Sequence, residues 1–149
     1  MKRQQLRPPD VRVFKTLYAL GLGPLVGRLV LLLTTTGRKS GLPRTTALQY
    51  EEVDGAIYLG SSKGTQADWF KNLVANPNVC IRVKSRQFSG KAQAVSDPAV
   101  ITDFLELRLR RHPRMVGAML KSEGLPAAPS RAELETYASK LALAIIRPL

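Results

Sequence analysis

The chain has 149 residues, 44% of them apolar, and its 23 Lys/Arg against 11 Asp/Glu give a formal net charge of +12. That length supports one well-buried core and is short for two, so a single domain over residues 1–149 is expected. The charge asks for an anionic partner: nucleic acid, a membrane surface or a phosphorylated small molecule. One cysteine, Cys80, and one histidine, His112, exclude an internal disulfide and a Cys/His zinc site, and the cytoplasm is the expected compartment. Residues 1–44 carry nine Lys/Arg against one acid, so the asymmetry is N-terminal.

In chain order, an amphipathic helix is expected from about Asp10 to Leu20, with peripheral membrane contact through Lys2, Arg3, Arg7, Arg12 and Lys15 as a second use of its basic face. The apolar run that follows is not a membrane span, because Arg28 interrupts it and the Gly21–Pro24 turn breaks it. No small-residue cleavage site follows it, which argues against a secretory signal. A buried strand comes next at Leu29–Leu33. Thr45–Val53 and Ala56–Ser62 are strands joined by Asp54–Gly55, a strong hairpin signal. Trp69, Phe70, Leu73 and Val74 have helical spacing, and Asn76–Pro77 stops that helix. Val79–Ser85 and Phe88–Val95 form a second hairpin. Ser96 or Asp97 caps a helix over Ala99–Arg111, which His112–Pro113 breaks. A further turn at Met115–Leu120, a loop at Gly124–Ser130, a helix at Arg131–Ser139 and a last apolar strand complete the chain. Strands that come in hairpins with few helical crossovers favour an antiparallel barrel.

No nucleophile elbow, metalloprotease helix, Walker loop or dinucleotide fingerprint is present, so an enzyme built this way leaves the hard step to a cofactor. The segment TTTGRKSGLPR (34–44) has two readings. It is a solvated hairpin turn, or an anion-binding loop in which Gly37 and Gly41 allow close backbone approach, Ser40 is a neutral donor, and Arg38, Lys39 and Arg44 supply charge. A second anion-friendly group, SSKGT (61–65), leads into the N-terminus of the tryptophan helix.

The motifs TTTGRKSGLPRTT, DGAIYLGSSKG and ADWFKNLVANPNV, in that order before a β-hairpin, resemble the deazaflavin-dependent nitroreductase family, relatives of the flavin-binding split-barrel proteins. The resemblance spans roughly Leu31 to Val95. It implies an α+β fold, a six-stranded antiparallel split β-barrel with flanking helices, that binds coenzyme F420. It implies phosphate contacts from Arg38, Lys39, Ser40, Gly41, Arg44, Ser62 and Lys63, with Trp69 near the deazaflavin ring. Hydride would pass from the reduced cofactor to a small-molecule acceptor of quinone, enone or nitro type, and a homodimer is expected. Members of that family place several tyrosines around the substrate, whereas Tyr137 is the one tyrosine in the C-terminal third here. Tyr50, Tyr58 and Tyr137 are the candidate hydrogen-bond donors for the charge that develops, the first two reading first as core aromatics, and no catalytic side chain is assigned. The alternatives are an FMN-dependent reductase, since FMN also presents a phosphate and a tricyclic ring, and a non-catalytic cofactor- or lipid-binding barrel. Nucleic acid ranks last, because an aromatic content of 6% shows no stacking pattern. Cys80 reads as a small core residue and His112 as a helix cap. Arg108, Arg110, Arg111 and Arg114 read as a solvated patch, with an anionic polyglutamate tail or a membrane surface as its other possible partners.

Overall fold

The computed structural model describes residues 30–149; the helix expected at 10–20 and the turn at 21–24 lie outside them. Seven strands make one antiparallel sheet: β1 (Leu31–Thr36), β2 (Pro43–Leu48), β3 (Glu51–Val53), β4 (Ala56–Ser61), β5 (Asn78–Val83), β6 (Arg86–Val95) and β7 (Ala142–Pro148). Their order is β2-β1-β5-β6-β7-β4-β3. The two edge strands are consecutive in the chain and joined only by Gln49 and Tyr50, so three peptide steps, at most about 11 Å, span the gap between them. The sheet therefore curls until its edges adjoin.

This link corrects the six-strand expectation. Thr45–Val53 reads as one strand, but its first half pairs with β1 (Thr34 opposite Thr45) and its last three residues pair with β4 (Glu51 opposite Tyr58). A strand that serves both edges of a curled sheet has to break between them, and it breaks at Gln49–Tyr50. The Asp54–Gly55 hairpin forms as expected, with φ of 50° and 80° at its two central residues, the backbone that matches strand twist in a two-residue turn.

Among the described residues four α-helices accompany the sheet: α1 (Asp68–Ala75), α2 (Pro98–Arg111), α3 (Pro113–Ser122) and α4 (Arg131–Ala138). Asp97 caps α2 by accepting a bond from the Ala99 N–H at 3.0 Å, and a Ser130/Glu133 capping box starts α4. The stretch over Met115–Leu120 is the centre of a full helix, α3. Inside the curl, Leu31, Leu33, Ile57, Leu59, Ile81 and Ile146 pack with Trp69, Phe70 and Leu73 of α1. Outside it, Leu143 and Ile145 pack with Ile101, Phe104, Leu105, Val116, Leu120 and Leu134 of α2–α4. β7 is thus buried on both faces over its first five residues, which is why Ala142–Ile146 is an unbroken apolar run. Among the described residues no helix is long and apolar enough to cross a membrane.

The turn after β4 is held against the start of β7. Gly64 has φ +60°, and a Cβ there would stand 2.8 Å from the Lys140 carbonyl oxygen. Gly64→Ala combines left-handed backbone with a clash against main chain, and is expected to cost about 1–3 kcal/mol of stability. A thermal melt checks this; an unshifted midpoint would mean that the turn does not bear on β7.

Candidate functional site

β1 and β4 run in the same direction along the curled sheet and so leave toward the same end, the one from which β5 and β7 start, with the start of β5 level with Lys91 of β6 and that of β7 level with Val95. α1 lies across this end, packed on β1 and β6. The segment 34–44 is a hairpin connection, with the threonines inside β1 and an exposed basic loop at the barrel's rim.

The loop's internal bonds decide which groups remain open. Gly37 N–H donates to Leu42 O at 2.8 Å, Gly41 N–H to Gly37 O at 2.8 Å, and Leu42 N–H to Ser40 Oγ at 3.2 Å. Gly37 is therefore a packing residue: it is buried, and a Cβ on it would fall 2.6 Å from Ser40 Oγ. Close approach at Gly37, expected from the sequence, is ruled out by this enclosure, whereas Gly41 has nothing within 4 Å of its Cβ position. The Lys39 and Ser40 N–H groups have no partner among the described residues.

The basic side chains divide into two kinds. Arg38 grips α1: its Nη1 donates to Asn72 Oδ1 at 2.8 Å, its Nη2 to Asp68 Oδ1 at 3.1 Å, and its backbone N–H to Asn72 Oδ1 at 3.2 Å. Asn72, itself buried, donates through Nδ2 to Thr35 Oγ1 at 3.3 Å. Lys39, Arg44 and Lys63 are exposed and form no ion pair among the described residues. Arg44 lies opposite Thr35 in the β1–β2 register and so shares the face that Asn72 covers. On the second loop, Ser61 Oγ donates to Gly64 O at 2.7 Å and closes the turn, leaving Ser62 and Lys63 at its tip. That loop runs through a short 3-10 turn, Gly64–Gln66, into α1 at Asp68, the residue that Arg38 holds. Trp69 is 9% exposed and packs edge to face on Phe70, their centroids 5.9 Å apart.

The tyrosines sit apart from one another. Tyr50 packs against the inner cluster and Tyr58 stacks on Phe104 at 6.0 Å in the outer one, consistent with core roles. Tyr137 lies on α4 against the outer cluster, where burial and then the charge of Glu123 push its hydroxyl above the usual phenol range. Cys80 faces outward into a groove of about 320 Å³ with Thr34, Thr36, Asn78 and Ser89, because β5 turns Val79, Ile81 and Val83 inward instead. The arginines at 108–114 are not a uniformly solvated patch. Arg108 and Arg111 converge with His112 on Glu51, a carboxylate on the sheet face that α2 covers.

A curled antiparallel sheet, closed by a two-residue link and flanked by helices, defines a split β-barrel protein. The F420H(2)-dependent quinone reductase family model matches residues 11–119, and the chain belongs to that family. It is 43% identical over 68 residues to the F420H(2)-dependent quinone reductase Rv1261c of Mycobacterium tuberculosis, a match covering 44% of this chain and 46% of that protein. The aligned part is thus just under half the length of that relative. Among solved structures, an F420-H2 dependent reductase (FDR-A) is similar with a TM-score of 0.55 and 23% identity, over 80% of this chain and 95% of that one. A domain-swapped dimer is similar with a TM-score of 0.56 and 22% identity, over 93% and 98% of the two chains. At these identities the two structures show the shared fold.

Proposed function

We propose that this chain is an F420-dependent oxidoreductase that reduces a quinone, and that its two basic loops hold the phosphate of the cofactor. The observation that carries this reading is the set of three exposed cations, Lys39, Arg44 and Lys63, that have no ion-pair partner among the described residues and stand on the loops that flank α1 in a chain of this family. The residues present fit a phosphate. The Lys39 and Ser40 N–H groups, which have no partner among the described residues, lie beside the open surface of Gly41. The Ser40 and Ser62 hydroxyls and three cations add neutral and charged donors, and Asp68, the acid bonded to this rim among the described residues, is paired with Arg38.

In this reading Lys39, Ser40, Gly41, Arg44, Ser62 and Lys63 anchor the tail. Trp69, at the start of α1 beside the second loop, borders the ring. F420, when bound, supplies the hydride chemistry. The chain's own contribution is orientation and exclusion of water, so no side chain has to act as nucleophile. A homodimer remains our expectation for the assembly.

The test is turnover. Purified protein mixed with reduced F420 and a soluble quinone should return oxidised deazaflavin in proportion to quinone consumed, and reduced FMN should not substitute. Binding of F420 without oxidation by any quinone, enone or nitroaromatic acceptor would reduce the reading to a cofactor-binding barrel.

A further inference from the structure

Asn72 stands out on α1. Its neighbours on the buried face are Trp69, Phe70 and Leu73, and it is itself only 5% exposed. A primary amide in such a place is costly unless every polar atom is satisfied, and here each one is. Oδ1 takes two bonds from Arg38, one from its backbone N–H and one from its guanidinium, while Nδ2 reaches Thr35 Oγ1 in β1. Thr35 is 2% exposed, so this end of the network is fixed by the barrel. At the other end Asp68 takes the second guanidinium nitrogen at 3.1 Å. The first residue of the basic loop is therefore pinned by its main chain and its side chain together to the helix beside it.

We propose that Arg38 and Asn72 are positioning residues: the Thr35–Asn72–Arg38–Asp68 network holds the 37–42 loop so that Lys39, Ser40 and Gly41 face the anion. Arg38 acts through α1 rather than as a charge on the ligand. The geometry supports this assignment in two ways. The guanidinium is committed on both of its terminal nitrogens, one to Asn72 and the other to Asp68, so it is turned toward α1. The loop's remaining internal bonds, from Gly37, Gly41 and Leu42, fix its shape but not its attachment to the barrel. That attachment falls to Arg38 and to the flanking strands. The part of this inference that concerns cofactor affinity rests on the function proposed above.

Two measurements separate the network from that reading. The first is a double-mutant cycle on F420 affinity, by calorimetry. Arg38→Ala and Asn72→Ala should each weaken binding about tenfold, and the double variant should be little worse than either, because both remove the same attachment. Additive losses, near a hundredfold in the double variant, would mean that Arg38 meets the ligand directly and would overturn the proposal. The second needs no cofactor. Trypsin cleavage after Arg38 or Lys39 in the folded protein should quicken about tenfold or more in Asn72→Ala, as the loop is released. The partly exposed Arg38→Ala serves as the check should Asn72→Ala melt early: it should quicken cleavage after Lys39 at an unchanged melting midpoint. Cleavage at the parent's rate in both variants would overturn the network. If the parent itself binds no F420, the functional reading fails while the cleavage measurement still decides the network.

Discussion

Glu51→Gln is expected to lower the stability of the protein by about 3–5 kcal/mol, a large share of the roughly 5–15 kcal/mol that holds a domain of this size together. The Glu51 carboxylate is 5% exposed and faces three donors. Arg108 Nε lies 3.4 Å from it, Arg111 Nη1 3.1 Å and His112 Nε2 3.1 Å. An amide at this position keeps the shape, removes the charge and turns an NH2 group toward groups that are themselves donors. Arg111 and His112 are 40% and 43% exposed and can turn to water, but Arg108 is 11% exposed and cannot. The magnitude is therefore set by one buried guanidinium that loses its counter-charge and keeps only neutral partners among the described residues: the new amide oxygen, Gln49 at 3.0 Å and the Phe104 ring at 6.0 Å. Replacing both members, as in Glu51→Leu with Arg108→Met, should restore most of the loss, because a buried pair exchanged for apolar volume is near neutral. Urea unfolding of the three proteins checks this. A Glu51→Gln midpoint equal to the parent's would show that the cluster does not tie β3 to α2.

Removing Lys39 and Arg44 together is expected to weaken F420 binding by about 3 kcal/mol, more than a hundredfold. A hydrogen bond to a charged group contributes about 1.5–3 kcal/mol, and both side chains are exposed, so the low end applies to each. Neither residue packs in the core or pairs with an acid among the described residues, so the double variant should melt at the parent's temperature. Added salt should weaken the parent's binding more steeply than the double variant's, in which Lys63 is the cradle's remaining cation, since screening acts on the charges that were removed. Calorimetric titration at two ionic strengths, with the melting midpoint as a control, checks the prediction. An affinity within twofold of the parent's would move the phosphate elsewhere.

The segments that were legible in the sequence carried their own local chemistry. Asp54–Gly55 needs nothing beyond two residues to form its turn, and the Trp69–Leu73 spacing marks a helix by itself. The N–H and carbonyl bookkeeping of the basic loop was not legible. Gly37 and Gly41 look equivalent in GRKSG, yet one is enclosed by Ser40 and Leu42 and the other faces open space. The break at Gln49–Tyr50 was hidden for a topological reason: a β-rich run carries no mark of which neighbours its two halves will pair with. Glu51 escaped notice because its partners are 57 to 61 residues away in the chain, on a helix end that reads as solvated. Asn72 did leave a signal, a polar residue three positions after Trp69 on an apolar helix face. That pattern identifies a buried polar group but not its partner, which lies 34 residues earlier in the basic loop.

The most direct test of the central claim, a phosphate cradle built from the two basic loops, compares affinity for F420 with affinity for the same deazaflavin lacking its phosphate-bearing tail. A cradle of Lys39, Arg44 and Lys63 predicts F420 binding tighter by at least about a hundredfold, with the gap narrowing in Lys39→Ala and in Lys63→Ala. Equal affinities for the two molecules in the parent protein would contradict it.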